Sequence, residues 1–194
     1  MSKTSIILLS ATAVVVIWGV VAYNGIVSAE ENVNSQWGNV QNVYQRRADL
    51  IPNLVATVRG YAQHEKSTLD EVTNIRARAT QMTVNVEELT PQKLSEFQRA
   101  QGELSTALGR LIAISENYPD LKANQNFLEL QAQLEGTENR INVERRNFNV
   151  AAQNFNTGIR RFPTSILANL FGFDKKPYFE AEAGSETVIN VQFE

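Results

Sequence analysis

No cysteine occurs in the 194 residues, and histidine occurs once, at His64. The first absence excludes disulfides and thiolate metal sites. The second excludes a two-histidine zinc site, including the HExxH kind that His64–Glu65 begins to spell. No serine nucleophile or second metal ligand stands at motif spacing from that pair, so a capping or surface role suits His64 better than acid–base catalysis. A formal charge of −3 gives no basic excess and argues against nucleic-acid binding. Charge is missing altogether from residues 4–29, "TSIILLSATAVVVIWGVVAYNGIVSA".

That uncharged stretch is the strongest single signal. Ile6 to Tyr23 is almost wholly apolar, long enough for a helix to cross a hydrocarbon core of roughly 30 Å. A cleaved signal peptide is the competing reading, because "VSA" before Glu30 resembles a cleavage site, but signal peptides carry shorter apolar regions. Tyr23 suits an interfacial position, and no GxxxG offers a dimer face within the span. Lys3 precedes the span while Glu30 and Glu31 follow it. This bias places the N-terminus in the cytoplasm and the remainder outside.

After the span, helical periodicity dominates. Val33, Trp37, Val40, Tyr44, Arg47, Ile51, Leu54, Val58 and Tyr61 recur at alternating spacings of four and three, a heptad seam with one charged member. Thr68-x-x-Glu71 predicts a capping box opening a second helix, with Leu69, Val72, Ile75, Ala79 and Met82 inward. Thr90–Pro91 reads as N-cap and first position of a third, whose seam is Leu94, Phe97, Gln101, Leu104, Leu108 and Leu111. Tyr118–Pro119 ends it. A fourth helix is expected from about Asp120 to Phe162, with Phe127, Leu134, Ile141, Phe148, Phe155 and Phe162 one heptad apart and Leu130, Thr137, Glu144, Ala151 and Gly158 as companions. The expected fold is therefore all-α: a transmembrane helix followed by an antiparallel up-down-up-down four-helix bundle with long first and fourth helices. An extended coiled coil is the alternative. The divisions are residues 1–29, short N-terminus and anchor; 30–162, bundle; 163–183, amphipathic returning segment; and 184–194, a variable tail in which Val188 to Phe193 offer a short strand.

Within the motif "RRADLIPNLVATV" (46–58), Arg47 interrupts the first seam as Glu144 interrupts the fourth. If the first helix leaves the membrane at Ala29 and the fourth returns at Phe162, each lies eighteen residues from that level. Antiparallel packing then pairs Arg47 with Glu144, because a buried arginine needs a hydrogen-bonding carboxylate. Pro52 removes the amide that would bond the Ala48 carbonyl, so a modest kink is expected there.

Three further groups stand out. Arg145–Arg146 and Arg160–Arg161 are read as a solvated face before a phosphate or lipid site. Asn142, Asn149 and Asn156 form a heptad row, with Asn147 and Asn154 a second; asparagine is a poor helix former, so either a wet surface or a contact between subunits accounts for them. The segment "PTSILANLFGFDKKPYFE" carries Ile166, Leu167, Leu170, Phe171, Phe173, Lys175, Lys176, Tyr178 and Phe179. It reads as a membrane-proximal element with its apolar side in the headgroups, or as a lid on the bundle end.

The stretches "RRADLIPNLVATVRGYAQHE", "RLIAISENYPDLKANQNFLELQAQLEGTENRI" and "RRNFNVAAQNFNTGIRRFPTSILANLFGFDKKPYFEAE" resemble the LemA family, from about Val33 to Ala183, with the residues after Gly184 outside the strongest match. The resemblance implies a bacterial single-pass membrane protein with a four-helix bundle, associated with envelope or membrane organisation and with no established enzymatic activity. On both grounds the expectation is a non-enzymatic scaffold in the cytoplasmic membrane, its bundle on the extracytoplasmic side. It self-associates, shapes or organises the bilayer, and needs no cofactor or metal. The alternative is an adaptor for another envelope protein, such as a membrane protease or assembly factor.

Overall fold

The computed structural model describes residues 2–82 and 84–180. Every regular element among the described residues is helical. Helix α1 (Lys3–Tyr61) contains 59 residues and is about 88 Å long at 1.5 Å per residue. It runs unbroken from the apolar segment into the folded part and through Pro52. A turn leads to α2 (Lys66–Gln81), and a short 3-10 turn at Val86–Glu88 precedes α3 (Pro91–Ile114). A second 3-10 turn (Ser115–Asn117) and the single-turn α4 (Pro119–Lys122) lead into α5 (Gln125–Arg160). Helix α6 (Thr164–Phe171) follows, and residues 173–180 continue without helix or strand. The strand expected at Val188 to Phe193 lies outside the described residues.

Local chemistry explains most of these boundaries. Thr90 caps α3 as expected, its Oγ1 accepting from the Lys93 amide at 3.2 Å with Pro91 in the first turn. The fourth long helix is shorter than expected. Asn124 interrupts it, its Oδ1 accepting from the Phe127 amide at 3.0 Å and opening a new helix. Helix α2 begins at Lys66, so Thr68 and Glu71 do not form a capping box. Glu71 instead accepts from Arg110 Nη1 of α3 at 3.0 Å. Gly172 ends α6 with φ of +74°, a left-handed conformation that favours glycine, while the Phe173 amide reaches back to the Ala168 carbonyl at 3.0 Å.

Helix α1 is the central strut. It packs along α5, against α2 and against α6; α2 in turn packs on α3. Helices α3 and α5 stay apart, and a groove runs between them. The register of α1 on α5 is antiparallel: Trp37 meets Phe148 edge-on, and ten residues up α1 Arg47 meets Glu138, ten residues back along α5. At that pitch Arg160 is level with Gly25.

The core divides into two apolar blocks. The lower gathers Trp37, Tyr44, Phe97, Phe148, Phe155 and Phe179; the upper gathers Ile51, Leu54, Leu69, Leu111, Phe127 and Leu134. All the expected seam residues of α3 are buried, as are those of α1 from Val33 to Val58. The outliers are the terminal members: Tyr61 is exposed, and Phe162, expected to close the fourth seam, is 83% exposed. It lies two residues beyond the end of α5, where the chain has already turned away.

Candidate functional site

The boundary between the two apolar blocks is a polar layer built around Arg47, which is 2% exposed. Its Nη1 donates to Ser105 Oγ at 2.8 Å and to Glu138 Oε2 at 3.0 Å; its Nη2 donates to the Gln101 carbonyl at 3.2 Å and to the Gln101 side chain. The Tyr44 ring lies 5.0 Å below the guanidinium carbon. Glu138 is 45% exposed and sees water, so most of the enclosure comes from neutral acceptors on α3. The expected partner, Glu144, is not there: it sits on α5 six residues nearer the apolar end and accepts from Asn147 at 3.0 Å. The displacement follows from register. Heptad counting places Phe162 level with Ala29, whereas Arg160 is level with Gly25, and the six-residue offset amounts to about 9 Å.

The second built feature is the returning chain. Asn156 Oδ1 accepts from the Lys176 amide at 2.9 Å, and its Nδ2 donates to the Lys176 carbonyl at 2.8 Å and to Tyr178 Oη at 2.9 Å. One heptad up, Asn149 does the same for Phe179, accepting from its amide at 2.8 Å and donating to its carbonyl at 2.9 Å. Each amide thus replaces the pair of backbone bonds that a neighbouring strand would supply. This corrects the subunit-contact reading for Asn149 and Asn156, whose side-chain amides bond the returning chain instead; Asn142 is exposed.

The returning segment divides in the same way. Phe179 is buried, stacked on Trp37 and edge-on to Phe148. Lys176, expected beside the headgroups, bonds Glu30 Oε1 of α1 at 2.6 Å. Phe173 packs against Tyr23 and Phe155, and Tyr178 is held by Asn156. These four residues fasten the segment to the helices, because their polar and aromatic groups all find partners on α1 and α5. Leu167 and Ala168 form the packed side of α6. The opposite side is bare: Ile166, Leu170 and Phe171 are exposed, Leu170 at 73%, alongside Phe162. Lys175, Arg160 and Arg161 are exposed nearby in sequence, and Arg146 is exposed higher on α5. Arg145 is used within the fold, donating to the Glu180 carbonyl at 2.9 Å and lying over the Phe179 ring.

This bare patch adjoins the end of the apolar stretch of α1. Tyr23 meets Phe171 edge-on with ring centroids 4.9 Å apart. Below Tyr23 the apolar window of α1 buries nothing within the chain. His64 is exposed in the turn between α1 and α2, and no cluster of metal-ligating side chains occurs among the described residues. Neither Glu138, Ser105 nor the Lys176–Glu30 pair stands out in the sequence, whereas Gln101 is visible there as a polar seam member of α3.

Among the described residues these observations define an all-helical protein with one helix long and apolar enough to cross a membrane, running without a break into the folded part. The sequence profile of the LemA family matches residues 36–193, and the chain belongs to that family. The match takes in the residues after Gly184 that had stood outside the strongest resemblance. The chain is similar to the magnetosome protein MamQ of Magnetospirillum gryphiswaldense, 29% identical over 188 residues, covering 88% of this chain and 69% of the relative. It is also similar to magnetosome protein MamQ 1 of Paramagnetospirillum magneticum, 26% identical over 86% of this chain and 68% of the relative. Protein LemA of Metamycoplasma hominis is 24% identical over 64% of this chain and 53% of its own length.

Proposed function

We propose that this is a single-pass, non-enzymatic scaffold of the bacterial cytoplasmic membrane, with its N-terminus in the cytoplasm and its helical body standing on the extracytoplasmic face. In this reading α1, α2, α3 and α5 act as an up-down-up-down bundle. Copies associate through their outer faces to organise or shape the bilayer. The observation that carries the reading is the unbroken α1, whose apolar half continues directly into the strut that α2, α5 and α6 all pack on. A protein linked to its anchor by a flexible tether would be free to tumble. Here any tilt or clustering of the body is transmitted to the anchor, as a membrane-organising element requires. The relatives' names, magnetosome protein, favour a role in building a cellular structure.

The bare side of α6 supports the same placement. Ile166, Leu170 and Phe171 are exposed on α6, and Phe171 meets Tyr23 where α1 becomes apolar. Such a patch is stabilised when it enters the headgroup region, at roughly 25 cal/mol per Å² of apolar surface removed from water. The exposed Val143 and Val150, one heptad apart on the outer face of α5, suit contact between copies.

The adaptor reading gives a different particle. The full chain extracted in mild detergent should run as a defined homo-oligomer if it is a scaffold. A monomer that co-purifies with one other envelope protein would support the adaptor instead.

A further inference from the structure

The outer faces of α5 and α3 carry the spacing of a helix seam. On α5, Glu129, Ala132, Gly136, Asn139, Val143 and Arg146 recur at alternating steps of three and four. All are exposed, on the side opposite the buried Leu134, Ile141 and Phe148. On α3, Glu96, Arg99, Glu103, Thr106, Arg110 and Ala113 repeat the same steps and are exposed too. Glycine weakens a helix interior relative to alanine. Gly136 of α5 and Gly102 and Gly109 of α3 nevertheless stand in helix interiors, where a Cβ would meet nothing within 4 Å. Nothing among the described residues calls for them.

We propose that the outer face of α5 docks on the outer face of α3 in a neighbouring copy of this chain. The inference rests on the reading above that copies stand side by side in one bilayer, because that gives every copy the same height and direction. Heights on the two helices are tied together by Arg47, which bonds Gln101 and Ser105 of α3 and Glu138 of α5. Position 103 is therefore level with 138. Gln98 and Arg145, which both donate to the Glu180 carbonyl, set nearly the same register.

Helix α3 ascends and α5 descends, so charges at equal height can be compared. Glu96 of one copy falls opposite Arg146 of the next, and Glu103 opposite Arg140, each within about 3 Å along the axis. Arg110 falls between Glu129 and Glu135. Three successive layers are opposite in sign. Glu103 and Arg110 are held on this face by exposed pairs with Arg78 and Glu71 of α2. Two α5 faces packed in the same direction would instead oppose Arg146 to itself, and two α3 faces would oppose Glu103 to itself. Shape agrees with charge. Val143 falls between the heights of Ser95 and Gly102, where it enters a gap among short side chains. Ala132 falls level with Gly109, and Asn142 level with Arg99, a partner for the exposed member of the asparagine row. Because unlike faces meet, each copy keeps one unused face of each kind, and association continues past a dimer.

The test uses the absence of native cysteine. Gly109→Cys and Ala132→Cys are introduced into separate full-length chains, one with a size tag, which are reconstituted together in liposomes and mildly oxidised. A mixed disulfide should form well above the homodimer of either variant. Adding Glu96→Arg to the Gly109→Cys chain should weaken that cross-linking several-fold, since an exposed pair turns from attraction to repulsion. Adding Arg146→Glu to the Ala132→Cys chain as well should restore it. A large particle in detergent whose 109 and 132 variants fail to cross-link would overturn this contact and leave self-association standing. Homodimers in excess of the mixed product, or cross-linking indifferent to both charge changes, would do the same. Monomers in detergent with no cross-link in liposomes would remove the contact and the self-associating scaffold together.

Discussion

Arg76 Nε of α2 donates to the Ala48 carbonyl of α1 at 2.7 Å. That carbonyl would ordinarily accept from the amide four residues on, and position 52 is proline, which has none. The neighbouring helix supplies the missing donor. This explains how α1 passes through Pro52 unbroken, and why α2 carries a half-buried arginine facing α1.

The relationship predicts coupling. Arg76→Ala should cost about 1–3 kcal/mol, because it leaves a buried carbonyl unpaired. With Pro52→Ala in place the helix regains its own amide donor, and Arg76→Ala should cost distinctly less. A double-mutant cycle by urea unfolding should give a coupling energy of at least about 0.5 kcal/mol; additive effects would dissolve the link.

The polar layer around Arg47 predicts an order of effects. Gln101→Leu removes two roles at once, an acceptor for Arg47 and a well-packed buried amide, and should cost about 1–3 kcal/mol. Glu138→Gln should cost under about 1 kcal/mol, because that carboxylate is 45% exposed and its attraction is screened by water. Glu144→Gln should not couple to Arg47. Equilibrium unfolding of the three variants checks the order.

How much of this was legible in sequence depends on the kind of signal. The seams of α1 and α3 were readable because each is a burial pattern repeated over several turns, and Thr90–Pro91 because cap chemistry is local. The partner of Arg47 was not, because pairing two long helices needs their relative register. The residues that fix it, Trp37 against Phe148 and Lys176 against Glu30, are non-local contacts. Taking Phe162 as the end of the fourth seam moved the register by six residues, since a heptad count cannot show where a chain turns away. The asparagine row stands out in the sequence of α5, but its purpose lies in the backbone of residues 176–179, which has no side-chain signature. The break at Asn124 was hidden by the nearby Tyr118–Pro119, which accounted for only one of the two interruptions.

The asparagine clamps predict local loosening. In Asn156→Ala the Lys176 amide loses its acceptor, and in Asn149→Ala the Phe179 amide does. Each variant should show faster hydrogen exchange at its own amide, while amides in the middle of α5 stay protected. Alanine is the better helix former, so a slight gain in α5 stability alongside loss of the clamp is the expected pattern.

Tyr118 predicts a response to alkali. Partial burial, together with its hydrogen bond to Glu65 Oε1 at 3.2 Å and the charge of that carboxylate, pushes its phenol pKa above the ordinary value. A phenol whose folded pKa is raised contributes stability that is fully present below its unfolded pKa and is lost as pH rises through the folded one. The stability advantage of the native chain over Tyr118→Phe should therefore hold at neutral pH and decline above about pH 10. A difference that stays constant to higher pH would show that this tyrosine is not titrating against Glu65.

The central claim is that the helical body stands on the bilayer with the bare side of α6 in the headgroups. Single cysteines at Leu170 and His64, labelled with a fluorophore in the otherwise cysteine-free chain, report depth in liposomes containing a nitroxide-bearing lipid. The label at position 170 should be strongly quenched and the label at 64, at the far end of α1, should not. Equal, weak quenching at both positions would contradict the account, because α6 would then be held away from the membrane that α1 enters.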